Sequence, residues 1–173
     1  MKGELVYQSD EYCLKGKLSN ISEGGLLLKD LQAIPEEEVF MGYWKLLDYP
    51  VFRDLPHEQL MGIENQNLNS HIICANLKMV RKFDQQSSLE TLFDKNIGCQ
   101  FYEITPLSID RIKNYVSNCG QNIIYILGLF ESSSKKKNML LIEHLAKVLG
   151  YECDSVPLLR AKMLHVYQSL ESL

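Results

Sequence analysis

Apolar and polar residues alternate with a period of two over much of the first 104 positions, a pattern typical of β-strands. Six segments show strand character: Lys2–Gln8, Tyr12–Leu18, Leu26–Leu28, Val39–Leu47, His71–Phe83 and Ile97–Ile104. Consecutive strands joined by polar turns predict a small antiparallel barrel or sandwich. The segment Asp48–Asn69 contains two prolines and a polar stretch. Its pattern is compatible with a short helix over Leu55–Ile63 or with an irregular insertion.

The pattern changes at Thr105, where a helix is expected to begin. Thr105 suits the N-cap, and Pro106 suits the first turn because the missing N–H there has no helical partner. The apolar residues that follow are three or four positions apart, and Asn118-Cys119-Gly120 predicts the end of this helix. The next segment, Ile123–Phe130, is apolar throughout, so its period does not separate a strand from a buried helix.

Two more helices are predicted near the C-terminus. One covers Asn138–Leu149 and ends at Gly150, which suits the C′ position. The other covers Ser155–Leu173. The sequence therefore predicts an α+β fold that is mainly β: a six-stranded antiparallel barrel with a closing helix over residues 1–118, followed by a helical extension over residues 119–173.

Composition limits the classes of function. The chain has 173 residues, 46% hydrophobic and 23% charged, which is typical of a globular protein. Its net charge of -4 argues against a nucleic-acid partner, and without an apolar run of about 18 residues no membrane span is expected. Met1-Lys2-Gly3-Glu4 shows no signal peptide, so a cytoplasmic location is expected.

Cysteine and histidine spacing does not predict a metal site. The five cysteines have no CxxC pair, and the four histidines have no ligand spacing with each other or with a cysteine. No paired carboxylates, catalytic triad or glycine-rich cofactor motif stands out either. We therefore expect no metal, no resident cofactor and no enzymatic activity.

One short motif suggests a binding role. Asn20-Ile21-Ser22-Glu23-Gly24-Gly25 reads as a compact polar loop between two strands. Asn and Ser side chains bond their own backbone in such loops, and Gly25 permits a positive φ or the close approach of a ligand. The motif could hold a planar polar group or phosphate oxygens, or it could be a plain turn between strands.

The order of motifs resembles the PilZ domain over about residues 3–117. The Asn-x-Ser-x-x-Gly loop comes first, and the strand Leu77-Lys78-Met79-Val80-Arg81 follows later. Ile97-Gly98-Cys99-Gln100-Phe101 then leads into the amphipathic helix at 109–116. The resemblance implies a six-stranded barrel with a closing C-terminal helix and, as its ligand, the bacterial messenger cyclic di-GMP.

The same resemblance implies that Asn20, Ser22 and Gly25 form the ligand side of the loop. The family's other half-site, an Arg-x-x-x-Arg segment ahead of the loop, is absent here, since the first arginine is Arg53. Lys15 and Lys17 share a strand face and are candidate substitutes, although solvation of a strand that faces water is the favoured explanation of both. Because Lys lacks the bidentate grip of Arg on phosphate, weak or no nucleotide binding is expected.

The resemblance therefore favours a non-catalytic bacterial adaptor in cyclic-di-GMP-linked signalling that acts by protein–protein interaction. One alternative is a genuine cyclic-di-GMP receptor that uses the Asn20-x-Ser22-x-x-Gly25 loop. Another, from a different class, is an enzyme or a flavin-binding split barrel.

The predicted last helix carries a heptad seam. Apolar residues recur there at spacings of four, three, four and three: Leu159, Met163, Val166, Leu170 and Leu173. Such a seam packs either on the rest of the chain or on a partner, and the second case makes these residues a candidate interface for a homo-oligomer or for another protein.

Overall fold

A computed structural model of the chain describes residues 3–9, 11–85, 94–132, 135–152 and 155–171. Within these ranges, side chains are not described at 83–85, 94, 135–137 and 169–171. The chain forms two compact units. The first contains Met1–Leu46 and Ser70–Val116, and the second contains Leu47–Asn69 and Ser117–Leu173.

The first unit is built on six strands. Their bounds are β1 Gly3–Ser9, β2 Tyr12–Ile21, β3 Gly25–Lys29, β4 Val39–Leu47, β5 Ser70–Gln85 and β6 Asp94–Glu103. They form a closed barrel in the order β1-β2-β3-β6-β5-β4, with antiparallel pairing. The predicted six-stranded antiparallel barrel followed by helices is confirmed.

Alternation of side chains fills the barrel interior, because successive residues of a strand point to opposite faces. Leu5 and Tyr7 of β1 are fully buried, and the Tyr7 ring meets Phe40 edge-on with 5.7 Å between ring centres. Leu77 fills the space left by Gly42, where an added β-carbon would lie 2.7 Å from the Leu77 side chain. The period-two pattern thus records which face of each strand is buried.

A long helix, α2 (Pro106–Glu131), follows the barrel strands. Its start is confirmed, because the Ser108 amide donates to Thr105 Oγ1 at 3.2 Å. Its predicted end at Gly120 was wrong, because the helix continues without a break for 26 residues. The cost of a helical glycine is about 1 kcal/mol. Burial of Ile123, Ile126 and Phe130 on the next turns outweighs it.

The second unit holds the remaining helices together with the segment between β4 and β5. Helices α1 His57–Met61, α3 Lys135–Val148 and α4 Val156–Glu171 belong to it, with 3-10 turns at Phe52–Asp54 and Asn65–Asn67. Asn122 of α2 is fully buried and fastens the segment: its Oδ1 accepts from the Phe52 amide at 2.8 Å, and its Nδ2 donates to the Pro50 carbonyl at 2.9 Å.

The C-terminus of α3 is closed as the sequence predicts. Gly150 has φ of 81°, and its amide donates to the Lys147 carbonyl at 2.9 Å. The Tyr151 amide donates to the Ala146 carbonyl at 2.8 Å, which completes a Schellman motif. Tyr49 and Asn65 both donate to the Val148 carbonyl, so the last turn of α3 is anchored within its own unit.

The heptad seam of α4 is used inside the chain at its first two positions. Leu159 and Met163 are buried, and Val166 is half-buried. The side chain of Leu170 and the whole of Leu173 lie outside the described residues. The buried half of the seam therefore packs within the chain's own fold.

Candidate functional site

The Asn-x-Ser-x-x-Gly motif forms the tight connection between β2 and β3. The connection is shorter than the loop predicted over Asn20–Gly25, because β2 continues to Ile21 and β3 begins at Gly25. The Ser22 amide donates to the Gly25 carbonyl at 2.8 Å, and the Ser22 hydroxyl donates to the same oxygen at 3.3 Å. Both donors of Ser22 are thus used to close the turn.

Asn20 also bonds its own backbone. Its side chain is exposed at the end of β2, and its Oδ1 accepts from the Ile21 amide at 2.9 Å. A β-bulge lies just before it, where the pairing with β3 shifts between Leu18 and Asn20. The bulge changes the direction of β2 before the turn, and the side-chain oxygen of Asn20 accepts the hydrogen bond of the next backbone N–H.

Gly25 is required by the approach of β6. It pairs with Gln100, and a β-carbon at position 25 would lie 2.1 Å from the backbone oxygen of Cys99. Among the glycines of the described ranges, only Gly150 has a positive φ. Gly25 has no positive φ, and the close approach that the structure shows there is that of the protein's own backbone, while the predicted approach of a ligand stays a prediction.

The two candidate lysines are paired with carboxylates. Lys15 Nζ lies 3.3 Å from Glu4 Oε2, and Lys17 Nζ lies 2.7 Å from Asp30 Oδ2. The hydrogen bond that the Lys17 ammonium donates to Asp30, together with the negative charge of Asp30, raises the pKa of Lys17 above its ordinary value. Both ammonium groups are exposed, so these pairs are weak, but any anion at this face competes with a carboxylate.

A cleft of about 540 Å³ lies beside these pairs. Lys17 stands directly opposite Lys29 in the pairing of β2 with β3. Both signs of charge are present among the lining residues, which are Gly3, Glu4, Lys17, Leu18, Ser19, Lys29 and Asp30. The lining surface of the cleft is mainly apolar, and the charges of its two lysines are balanced by two acids.

The motif turn and the lysines are separate along β2. Lys17 and Ser22 are five positions apart, which is about 16 Å in an extended strand. Lys15 is two positions further away. The structure brings Ser22 and Gly25 together in one turn, but it does not place the lysines next to them.

An aromatic pair next to the turn was missed by the sequence reasoning. The Phe101 amide donates to the Gly24 carbonyl at 3.1 Å, and the Phe101 ring stacks on Trp44 with 5.9 Å between ring centres. Trp44 is buried, and its indole nitrogen has no hydrogen-bond partner among the described residues. The Ile-Gly-x-x-Phe motif marked Phe101, but only the fold pairs it with Trp44.

The cysteine nearest the turn is unreactive at neutral pH. Cys99 is buried, and burial raises the pKa of its thiol to about 12. The reactive form of cysteine is the thiolate, which is scarce at neutral pH at such a value. Cys99 thus serves the barrel core.

In the described ranges, no three His, Cys, Asp or Glu side chains are grouped closely enough to hold a metal ion. None of the helices described for this chain combines the length and apolar character needed to span a bilayer.

Comparisons with known proteins give no match: no family model, no curated protein and no solved structure is significantly similar to this chain. The functional interpretation consequently depends on the residues and their geometry.

Proposed function

We propose that this chain is a non-catalytic, PilZ-like adaptor in bacterial cyclic-di-GMP-linked signalling, which acts mainly by protein–protein interaction and binds the nucleotide weakly or not at all. The observation that carries the proposal is the internal use of the motif. Both hydrogen-bond donors of Ser22 bond to the Gly25 carbonyl within the turn, and the missing side chain of Gly25 leaves space for the backbone of β6. The motif therefore has a complete architectural role without a ligand.

The charge arrangement supports the same proposal. A cyclic dinucleotide carries two phosphates, and each charge-assisted hydrogen bond to such a group contributes about 1.5–3 kcal/mol. Lys15 and Lys17 already face Glu4 and Asp30. Two missing contacts of this kind weaken binding by at least about a hundredfold.

Exposed apolar side chains on neighbouring strands support a role in protein contact. Ile72 and Val80 on β5 are 75% and 53% exposed, and Tyr102 on β6 is 59% exposed. Ile72 and Val80 are eight positions apart, which is about 26 Å in an extended strand, so these side chains offer a partner separate apolar contact points and not one patch.

Calorimetric titration of cyclic di-GMP into the full chain tests the proposal. We expect no measurable heat of binding at protein concentrations near 100 µM, a range that detects micromolar affinity with ease. Ser22→Ala is the test variant, and Ser117→Ala, on α2, is its matched control. Micromolar or tighter binding that Ser22→Ala weakens and Ser117→Ala does not would overturn the proposal in favour of a genuine receptor.

The absorption spectrum of the purified chain tests the other alternative. A colourless protein is expected. A flavin spectrum that persists through gel filtration would instead support a flavin-binding split barrel.

A further inference from the structure

The β5–β6 hairpin extends beyond β4. The Met79 amide donates to the Glu38 carbonyl at 2.8 Å, and the Asp48 amide donates to the Asn69 carbonyl at 2.9 Å. These two bonds fix the register of β4 on β5, so that β4 ends its pairing with β5 at Met79. Strand β5 continues past that residue and stays paired with β6. Residues 80–85 therefore have β6 on one side and no strand of the described chain on the other.

Lys82 and Asp84 present their backbone groups at this free edge. Successive residues of a strand direct their N–H and C=O groups to opposite sides, and residues directly opposite each other either bond or both face away. The Lys95 carbonyl accepts from the Leu31 amide at 3.2 Å, so Lys95 faces away from β5. Asp84 is directly opposite Lys95, so its backbone groups face away from β6. Lys82, two positions earlier on β5, faces the same way.

The segment between β3 and β4 does not cover this edge. The Gln32 amide donates to the Lys15 carbonyl of β2 at 3.1 Å, and the Ala33 amide donates to the Tyr7 hydroxyl of β1 at 3.1 Å. Within the described chain, no hydrogen bond reaches the outward backbone groups of β5 past the end of β4. A strand edge with unpaired N–H and C=O groups is a template for pairing with another chain.

We propose that two copies of this chain pair through this edge, antiparallel to each other about a two-fold axis at Phe83. In a two-fold contact, the same surface is used on both copies, so each contact occurs twice. Lys82 of one copy then lies directly across from Asp84 of the other, and each such pair exchanges both of its N–H···O bonds. The two residues have opposite charges, which stabilise a sheet when they are directly across from each other.

The order of charges also selects this register over its neighbours. A two-fold axis at Lys82 would place two lysines across from each other, and an axis at Asp84 would place two aspartates there. Like charges directly across from each other destabilise a sheet. Only the axis at Phe83 joins a lysine with an aspartate on both sides.

Antiparallel pairing keeps the two barrels apart. The strands run in opposite directions, so each barrel lies at its own end of a shared ribbon with the strand order β6-β5-β5-β6. The contact involves one short strand segment from each copy, which is small compared with the interfaces of stable complexes. The dimer is therefore weak and forms at high protein concentration.

Sedimentation velocity on the full chain at about 10 µM to about 500 µM tests this pairing. The mass of the wild type is expected to rise with concentration from 19.9 kDa toward twice that value. Lys82→Glu and Asp84→Lys should each stay monomeric, because each change places like charges across from each other in the dimer. An equimolar mixture of the two variants should dimerise, because every pair across the contact then joins an acid with a lysine.

Lys29→Glu is the matched control, because it makes the same change of charge at an exposed lysine of β3. It should dimerise as the wild type does. Amide hydrogen exchange at Lys82 and Asp84 should slow with concentration in the wild type and not in Lys82→Glu. Circular dichroism verifies that the variants are folded.

The proposal is overturned if the wild type stays monomeric at every concentration, or if the mixture of the two variants does so. It is also overturned if Lys82→Glu and Asp84→Lys dimerise like the wild type, since the contact between copies would then lie elsewhere, as on the last helix.

Discussion

Gly25 and the carbonyl of Cys99 are in such close contact that a β-carbon at position 25 would lie 2.1 Å from the carbonyl oxygen. At the preceding residue, Gly24, nothing lies within 4 Å of the equivalent position. Gly25 starts β3, where that strand pairs with β6, while Gly24 is at the exposed tip of the turn. The contact with β6 therefore requires a glycine at position 25, whereas no contact requires one at position 24.

Replacing Gly25 by alanine should destabilise the barrel. The neighbour that must move is backbone in a paired strand, so the cost is about 3 kcal/mol, at the upper end of the range for overpacking. Gly24→Ala should change the free energy of unfolding by less than about 0.5 kcal/mol. Urea denaturation of the two variants compares them. Equal stabilities would show that β3 and β6 are further apart than described.

The stability of the fold should fall above pH 9 because of Cys99. Its thiol pKa is raised from the ordinary 9.0 to about 12 by burial. Below pH 9 the folded and unfolded states both keep the proton, so this group has no effect on stability there. Above pH 9 only the unfolded state loses the proton, and unfolding becomes easier by about 1.4 kcal/mol per pH unit.

Urea denaturation at pH 8 and pH 10 measures this effect together with that of Tyr7, Tyr49 and Tyr151, because burial raises their pKa values as well. Cys99→Ala should show a smaller loss of stability between the two pH values than the wild type. Cys13→Ala, at an exposed position, should behave like the wild type. If Cys99→Ala loses as much stability between pH 8 and pH 10 as the wild type does, groups other than Cys99 cause the loss.

Glycine substitutions in the second unit should act in opposite directions. Gly150 has φ of 81°, so Gly150→Ala forces a side chain into the left-handed region and should cost about 1–2 kcal/mol. Gly128 is exposed inside α2, with nothing within 4 Å of an added β-carbon. Gly128→Ala should therefore stabilise the protein by about 0.5–1 kcal/mol. Thermal unfolding measures both effects: the melting temperature should fall in Gly150→Ala and rise in Gly128→Ala.

Removal of the Asn122 side chain should loosen the segment between β4 and β5. Its amide satisfies the Phe52 N–H and the Pro50 carbonyl at a fully buried site. Each buried group left without a partner costs about 1–3 kcal/mol, so Asn122→Ala should lose about 2–6 kcal/mol.

The neighbouring Gln121 supplies the control, because its side-chain amide donates to the Ser117 hydroxyl at an exposed site. Gln121→Ala should change stability by less than about 0.5 kcal/mol. Amide hydrogen exchange at Phe52 should speed up in Asn122→Ala alone. Unchanged exchange there would mean that other contacts hold the segment.

Strand positions could be predicted well because each strand buries one face, and burial leaves a period of two in the sequence. Val39–Leu47 was predicted with the bounds that the structure shows. The start of α2 at Thr105 and the end of α3 at Gly150 were also predicted, since capping depends on one or two residues and their immediate neighbours. These features are local, and local chemistry is visible in a sequence.

The continuation of α2 past Gly120 could not be predicted in the same way. A glycine after Asn and Cys favours a helix end, and only burial of the following apolar turns outweighs that preference. The assignment of Leu47–Asn69 to the second unit could not be predicted either. It depends on hydrogen bonds with residues about 70 positions away, such as the one that the Phe52 amide donates to Asn122.

In the candidate site, too, local features could be predicted from the sequence and long-range contacts could not. Sequence alone determined that a polar Asn-x-Ser-x-x-Gly turn joins two barrel strands, because turn-forming residues act on their own backbone. Only the tertiary structure decided what Gly25 and the lysines do. The clash at Gly25 comes from a strand more than 70 residues away, and the partners of Lys15 and Lys17 come from β1 and from the residue that follows β3. Contacts between distant parts of a chain exist only once the chain has folded.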